Sequence, residues 1–146
     1  MKNHQTLIAL DKILADTYAL MLKTQNYHWN VTGANFKALH ELFQSQYEDM
    51  FGAVDEIAER IRAIGSRVEG TFDHFKKISD LANPNKNFDS RNMLQDLVND
   101  NTILAKLLRE AINIAQSEGD EASADLFIQR SKIHDKAIWM LTSSLN

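Results

Sequence analysis

The sequence of 146 residues contains no cysteine, one proline and five glycines. The lack of cysteine excludes disulfide frameworks, thiolate zinc sites, iron–sulfur clusters and cysteine nucleophiles. The scarcity of proline and glycine predicts long uninterrupted elements, because these two residues are the usual punctuation between short ones. It argues against sandwiches and barrels, which need a turn about every ten residues.

The chain also lacks an excess of basic residues and any long apolar run. Sixteen Lys and Arg against 20 Asp and Glu give a formal net charge of −4, so bulk charge does not attract DNA. The longest apolar runs, such as residues 19–22, are far too short to span a bilayer. The first six residues hold no apolar segment typical of a signal peptide, so we expect a soluble cytoplasmic protein.

Apolar residues, 44% of the chain, recur at steps of three and four and predict four long helices. The first runs from Leu7 to about residue 31, the second from Phe36 to Gly65, the third from near Ser90 to Gly119, and the fourth begins after a cap at Asp120. A short helix at residues 72–81 fits the long connection between the second and third helices. Residues 1–146 are thus expected to form one all-α domain, a ferritin-like four-helix bundle with an extra short helix in its crossover.

Two histidines fall on the apolar faces of neighbouring helices. At about 100° per residue from Phe36, His40 lies near 40°, inside the apolar stripe of the second helix. His28 continues a seven-residue spacing along the first helix and also faces inward. Each could be a neutral, hydrogen-bonded core residue. Together, on either side of one short turn, they indicate a shared role, and imidazole is a good ligand for iron, zinc and copper.

Asp55 and Glu59 lie one turn apart on the flank of the second helix. A solvated helix edge explains them as well as a functional site does. Asp55 is 15 residues beyond His40, about 22 Å along a straight helix, so the two cannot bind one ion in the same chain. Either they are unrelated, or a two-fold axis that pairs second helices antiparallel brings the acids of one copy to the histidines of another.

Ferritin-like bundles usually hold a di-iron centre with Glu-x-x-His pairs on their helices. None of the five histidines here has a glutamate three residues before it. The residues at those positions are Met1, Gln25, Lys37, Thr71 and Ser131. The sequence therefore does not predict a di-iron centre inside one bundle, and the shared-site hypothesis remains.

Several motifs together resemble the Dps family, the mini-ferritins named DNA-binding proteins from starved cells. The resemblance covers the whole chain and rests on a His-Trp-Asn motif, a Leu-His step and an Asp-x-x-x-Glu-Arg step. The matching positions are residues 23–33, Phe36, Leu39, His40, Phe43, residues 55–61, Gly65, residues 124–127 and Trp139.

The resemblance implies a hollow homo-dodecamer with ferroxidase sites at its two-fold interfaces. In each site His28 and His40 would come from one subunit, and Asp55 and Glu59 from its mate. The family is an oxidoreductase that oxidises Fe²⁺, preferentially with hydrogen peroxide, and stores ferric mineral in its cavity. Consuming both reagents limits hydroxyl radical formation, so the resemblance implies a role in oxidative stress.

One position departs from the family pattern. Members often carry an acidic residue one turn after the second histidine, where this chain has Gln44. An amide oxygen is a weaker ligand for a hard cation than a carboxylate, which implies weak or water-bridged occupancy of a second iron position. Glu48, one turn further, could partly substitute.

The resemblance also suggests roles for residues near these motifs. Trp29 matches a tryptophan that lies near the family's site, and the resemblance implies that Trp29 is oxidised there in place of more damaging targets. The simpler explanation is that Trp29 packs in a core or an interface. Asp120, Glu121 and Asp125 cluster at a helix start, which favours acidic residues for dipole reasons alone. The family places acidic pores for iron in this region, and Asp125 is the residue expected there.

DNA binding does not follow from the family name. Members that coat DNA usually use a lysine-rich tail, whereas Lys2 is the only base before the first helix and residues 142–146 contain none. Twelve copies at −4 each would give a shell near −48. Two other hypotheses stay open: a DNA-condensing dodecamer with iron chemistry secondary, and a paralogue with a decayed site.

Overall fold

The computed structural model describes residues 3–146, and all regular structure in that range is helical. The helices are α1 (His4–Asn30), α2 (Phe36–Ala63), α3 (Phe72–Ile78), α4 (Ser90–Ser117) and α5 (Glu121–Ser143). Helices α1 and α2 form one hairpin, α4 and α5 form another, and the hairpins meet mainly through α1 and α4. The crossover of residues 64–89 carries α3, which packs on α1. The predicted four-helix bundle with one extra short helix is confirmed.

The predicted apolar stripes form the core. Burying a large apolar side chain contributes about 1.5–3 kcal/mol, so these stripes hold the bundle together. An exception is Phe36, which begins α2 and stays 43% exposed. The fully buried residues include Leu10, Ile13, Leu20, Phe43, Ile57, Leu97, Leu104, Leu108, Phe127 and Leu141.

No helix within residues 3–146 has both the length and the hydropathy that a membrane-spanning segment requires.

The first helix begins at His4, three residues before the predicted start at Leu7. The carboxylate of Glu118 accepts hydrogen bonds from the backbone N–H groups of Gln5 and Thr6, at 3.1 and 2.7 Å, and from the Thr6 hydroxyl at 2.6 Å. The first N–H groups of a helix have no partner within it. A side chain from the far end of α4 therefore extends α1, a contact that local spacing cannot predict.

The short helix ends at Ile78 rather than at the predicted Leu81. The carboxylate of Asp16, on α1, accepts hydrogen bonds from the hydroxyl of Ser79 at 2.7 Å and from the backbone N–H of Asp80 at 3.1 Å. These bonds turn the chain away from the helical path. Asp16 itself is 1% exposed, so this anchor lies within the packed interface of α1 and the crossover.

Side-chain caps explain three of the other helix starts. At α3 the hydroxyl of Thr71 accepts from the backbone N–H of His74 at 3.1 Å. Asp120 was expected to cap the last helix, and its carboxylate accepts from the backbone N–H of Ser123 at 3.0 Å. Asp89 caps α4 in the same way, through the N–H of Asn92 at 2.9 Å. At α2 the sequence also predicts a cap, because an asparagine, Asn35, stands directly before Phe36. That prediction is wrong, since the side chain of Asn35 makes no such bond.

A buried polar cluster joins α1 to α4. The Lys23 ammonium, 2% exposed, lies 2.7 Å from a carboxylate oxygen of Asp100 and 3.1 Å from one of Asp96. The Tyr27 hydroxyl donates to Asp96 at 2.6 Å. Burial raises the pKa of Asp100, and the bond from Lys23 opposes that effect. The cluster fixes the last turns of α1 against α4.

A second buried cluster joins α5 to α4 and α2. His134, 2% exposed, lies with Nδ1 2.8 Å from the Asn101 side-chain oxygen and Nε2 3.1 Å from the Arg130 guanidinium. Because arginine only donates, Nε2 must accept and Nδ1 carries the hydrogen. Arg130 also donates to Asp49 at 2.9 Å. Burial, together with the charge of Arg130, lowers the pKa of His134 to about 3.

This shift predicts that His134 makes the fold sensitive to acid. The unfolded chain has the ordinary histidine pKa of 6.5, so between pH 6.5 and about 3 it binds a proton that the folded chain does not. The contribution of neutral His134 to the free energy of unfolding is therefore fully present above pH 6.5. Below pH 6.5 it falls by up to about 1.4 kcal/mol per pH unit. His134→Gln should flatten this acid dependence, measured by urea unfolding at pH 7 and pH 5 at fixed protein concentration.

The matched control is His4→Gln, at the exposed start of α1, which should keep the wild-type dependence on pH. Equal slopes for His134→Gln and wild type would contradict the assignment.

Candidate metal centre

His28 and His40 lie face to face at the turn between α1 and α2. Their ring centroids are 3.8 Å apart and the ring planes differ by 13°. His28 Nδ1 is 2.6 Å from the backbone oxygen of His40, and His40 Nδ1 is 2.7 Å from the backbone oxygen of His28. His28 is 6% exposed and His40 is partly buried. The two imidazoles expected to face inward are thus brought together.

These reciprocal bonds determine where each ring carries its hydrogen. A carbonyl oxygen only accepts, so both Nδ1 atoms must be the donors. In the neutral rings both Nε2 atoms then keep their lone pairs, and neither Nε2 has a hydrogen-bond partner within residues 3–146. Metal-binding histidines typically donate their second N–H in this manner. The pair therefore offers two nitrogen ligands of fixed tautomer.

The hairpin itself creates this arrangement. Helix α1 ends at Asn30, Val31 is extended, and Gly33 takes a φ of 111°, which side-chain-bearing residues rarely adopt. The last carbonyl groups of a helix lack partners within it, and that of His28 is one of them. The ring of His40, one turn into α2, supplies the missing donor.

Asp55 and Glu59 lie far from the imidazoles of the same chain. Helix α2 is uninterrupted from Phe36 to Ala63, so His40 and Asp55 are separated by about 22 Å along its axis. Both carboxylates are exposed. Among the described residues no three His, Asp or Glu side chains lie close enough to hold one metal ion. Within one chain the two imidazoles and the two carboxylates are therefore too far apart to bind the same ion.

The two carboxylates line adjacent grooves. Asp55 lies on the wall of a groove of about 670 Å³ between α1, α2 and the crossover, which also includes Tyr18, Phe51 and Phe72. Glu59 faces a groove between α2 and α5. Phe51 is 70% exposed and Phe72 is 79% exposed, so the first groove carries a large uncovered apolar surface.

Gln44 and Glu48 interact with each other. The side-chain nitrogen of Gln44 donates to a carboxylate oxygen of Glu48 at 2.8 Å. This bond orients the amide, so the carbonyl oxygen of the Gln44 side chain is the atom left to contact a metal ion. Glu48 is exposed and its second oxygen stays available.

Trp29 is 58% exposed, although it follows His28 directly. Packing in the core of the chain is therefore excluded as its role. Packing against another copy and oxidation near the metal centre both stay predictions.

The acidic residues at the start of α5 have different surroundings. Asp120 is buried and binds the Arg60 guanidinium at 2.9 Å as well as Ser123. Burial tends to raise its pKa, but the hydrogen bonds from Ser123 and the charge of Arg60 prevail and lower it. Asp120 is thus a structural cap. Glu121 and Asp125 are exposed, and Asp125 lines the α2–α5 groove with Glu59.

Two aromatic residues at the histidine pair were not identified from the sequence as part of the site. Phe36 stacks on His40 with centroids 5.0 Å apart, and Tyr47 contacts His28 edge-on at 5.2 Å. The signal was present, because Phe36, His40 and Tyr47 fall within about 40° of one another around α2. Their apolar character assigned them to the core stripe instead.

Comparison with known proteins agrees with the fold and the motifs. A family model described as a ferritin-like domain matches residues 7–146. The chain is 33% identical over 144 residues to DNA protection during starvation protein 2 of Bacillus anthracis, covering 99% of each. Dps from Staphylococcus aureus superposes with a TM-score of 0.95 at 35% identity, covering 100% of this chain and 99% of that one.

Another solved relative is Dps of Vibrio cholerae, described as a member of a broad superfamily of ferritin-like diiron-carboxylate proteins. Its TM-score is 0.94 at 30% identity, over 99% of this chain and 91% of that one. The match spans the helices, the histidine hairpin and the crossover alike. The chain therefore belongs to the Dps family of ferritin-like proteins.

Proposed function

We propose that this protein is a ferroxidase and iron store whose sites form between two copies of the chain. Each site takes His28 and His40 from one copy and Asp55 and Glu59 from the other, and twelve copies enclose a cavity for ferric mineral. The observation that carries this proposal is the stacked pair of imidazoles with free Nε2 atoms, of which His40 lies on α2 about 22 Å from Asp55 of the same helix.

The ligand set suits the oxidation of Fe²⁺, which is the substrate. Imidazole nitrogen binds Fe²⁺ well, and carboxylate oxygen favours the more highly charged Fe³⁺. With hydrogen peroxide as oxidant, two Fe²⁺ ions give one electron each, the O–O bond breaks, and two protons are taken up to form two waters. Both reagents of Fenton chemistry are removed, which would protect other molecules from hydroxyl radical.

The outer face of α2 supports a two-fold pairing. Gln44, Glu48, Phe51, Asp55 and Glu59 fall within about 80° of one another around the helix, and Phe51 and Asp55 also line the apolar groove. An uncovered apolar surface of this kind is typical of a site of association. An antiparallel second α2 would cover the groove and carry each Asp55 towards the other copy's imidazoles.

Gly52 also supports a close approach of a second copy. Glycine inside a helix costs about 1 kcal/mol relative to alanine, so its presence in α2 needs a reason. A Cβ atom at this position would meet no atom of the chain within 4 Å, so packing inside one chain does not require glycine. Gly52 lines the same apolar groove, where a missing side chain allows another backbone to come near.

The shared site predicts complementation between two inactive variants. A subunit with His28→Ala and His40→Ala keeps both acids, and one with Asp55→Ala and Glu59→Ala keeps both histidines. Each variant alone should lose rapid peroxide-dependent Fe²⁺ oxidation. Random mixed shells should recover about a quarter of wild-type activity, because half of the dimers are mixed and one of their two sites is intact. Fe³⁺ absorbance after anaerobic iron loading and peroxide addition gives the measurement.

Light scattering should show that every preparation is assembled, with a mass near twelve subunits. Mixed shells that assemble but stay inactive would overturn the shared site, as would an iron-active monomer.

A single engineered cysteine tests the axis directly. If His40 of one copy lies opposite Asp55 of the other, the axis passes midway between them in number, beside Tyr47 and Glu48. Since the chain has no cysteine, Glu48→Cys supplies its only thiol. We expect a covalent dimer after mild oxidation or treatment with a short bis-maleimide, read on a non-reducing denaturing gel.

The matched control is Gln95→Cys, at an exposed position on α4. A yield of dimer from Glu48→Cys no higher than from the control would contradict the antiparallel pairing.

DNA condensation, the second candidate function, is predicted to be absent at neutral pH and physiological salt. Binding through phosphate needs several basic contacts, and each copy carries a net charge of −4. Mobility-shift assays with linear and supercoiled DNA, with chelator present to remove bridging divalent ions, should show no retardation. Retardation that weakens as salt is added would favour DNA condensation instead.

A further inference from the structure

Four aromatic rings form a column at the candidate metal centre. Phe36, His40 and Tyr47 project from one face of α2, and His28 of α1 contacts both His40 and Tyr47. Along the column the centroid distances are 5.0 Å from Phe36 to His40, 3.8 Å from His40 to His28, and 5.2 Å from His28 to Tyr47. Each imidazole therefore contacts two other rings.

The hydrogen bonds to the backbone do not by themselves fix the imidazoles. Each bond restrains one atom, Nδ1, whereas the ring turns about two bonds, Cα–Cβ and Cβ–Cγ. Coupled rotations about both can keep Nδ1 bonded and still tilt the ring, which would displace Nε2, the atom available to a metal ion. Contacts with neighbouring rings oppose this tilt: His28 stacks on His40 and makes an edge contact with Tyr47, and His40 stacks on His28 and Phe36.

Phe36, which stacks on His40, also interacts with the charge that a bound cation would induce on the imidazole ring. When Nε2 binds a cation, the ring loses electron density and becomes partly positive, and here two such rings stack at 3.8 Å. The face of a benzene ring is negative and attracts positive charge. Phe36, stacked at 5.0 Å with its plane 26° from that of His40, is placed to offset the repulsion.

We propose that Phe36 and Tyr47 are positioning residues of the metal centre, which clamp the two imidazoles so that both Nε2 atoms are held ready for a divalent cation. This inference rests on the proposed function, because it assumes that the imidazoles are ligands. Phe36 is well suited to a test, since it begins α2 and is 43% exposed, so its replacement does not hollow the core.

The experiment measures anaerobic Co²⁺ binding to the assembled protein, with the visible absorption of Co²⁺ as a report of ligand geometry. Co²⁺ stands next to Fe²⁺ in ligand preference. Phe36→Leu keeps an apolar side chain but removes the flat ring. It should weaken Co²⁺ binding by about tenfold, the lower end of the usual effect of replacing a residue that orients a metal ligand. The visible absorption band of Co²⁺ bound to Phe36→Leu should shift. Phe36→Tyr restores an aromatic ring and should recover both the wild-type Co²⁺ affinity and the wild-type spectrum.

Tyr47 provides the second arm of the test. Tyr47→Leu should weaken Co²⁺ binding and shift the band, whereas Tyr47→Phe should behave as wild type. The control is Trp139→Leu, which removes an exposed aromatic ring, 64% exposed, that makes no ring contact with the described histidines. It should leave the affinity and the spectrum unchanged.

The outcomes separate this inference from the proposed function. If the double variant His28→Ala, His40→Ala loses Co²⁺ binding but Phe36→Leu and Tyr47→Leu match wild type in affinity and spectrum, the positioning role is wrong and the metal centre stands. If the double histidine variant binds Co²⁺ as wild type does, the proposed site itself fails. Weakened binding by Phe36→Leu without recovery by Phe36→Tyr would also overturn the clamp.

Discussion

The continuity of α2 is the constraint on which the rest of this structure depends. This helix has 28 residues without a break. His40, stacked on His28 of α1, lies near its first residue, and Asp55 and Glu59 lie near its last. A bent or broken helix could fold the two halves together, but a straight one keeps them about 22 Å apart. Under the proposed function, iron oxidation is then tied to assembly, because an isolated chain has only half of each site. Oxidation would start only where a second copy completes the ligand set.

The nitrogen half of the site is oriented by the main chain. Both Nδ1 atoms donate to backbone oxygens across the hairpin, so the tautomer of each ring depends on how α1 and α2 pack and not on an ionisable neighbour. The half-site formed by His28 and His40 therefore offers nitrogen atoms and no carboxylate. In a shared site, the negative charge that attracts Fe²⁺ and stabilises Fe³⁺ would have to come from the partner's carboxylates. The two halves thus differ in charge as well as in position, and neither duplicates the other.

Sequence alone predicted the helices and the meeting of His28 with His40, because both follow from local spacing and one short turn. It failed where distant residues decide. Helix α1 starts early because Glu118, more than a hundred residues away, binds its first N–H groups, and α3 stops early because Asp16 binds the residues after it. The aromatic column was missed for a related reason: spacing shows that Phe36 and Tyr47 share a face of α2, but not that His28 of α1 contacts both His40 and Tyr47.

The buried cluster of Lys23, Asp96 and Asp100 engages two carboxylates of the bundle that could otherwise bind a metal ion, and residues 3–146 hold no group of three His, Asp or Glu placed to bind one. Two carboxylates one turn apart on α4 face α1, an arrangement that could attract a cation. Here the cation is the Lys23 ammonium, within 2.7 and 3.1 Å of the two carboxylates and almost fully buried. A metal ion would have to displace a covalently attached charge and leave it unpaired in the core, at high cost. With no Glu-x-x-His pair to compensate, these buried carboxylates serve to hold α1 against α4, and under the proposed function metal chemistry takes place at the surface of α2.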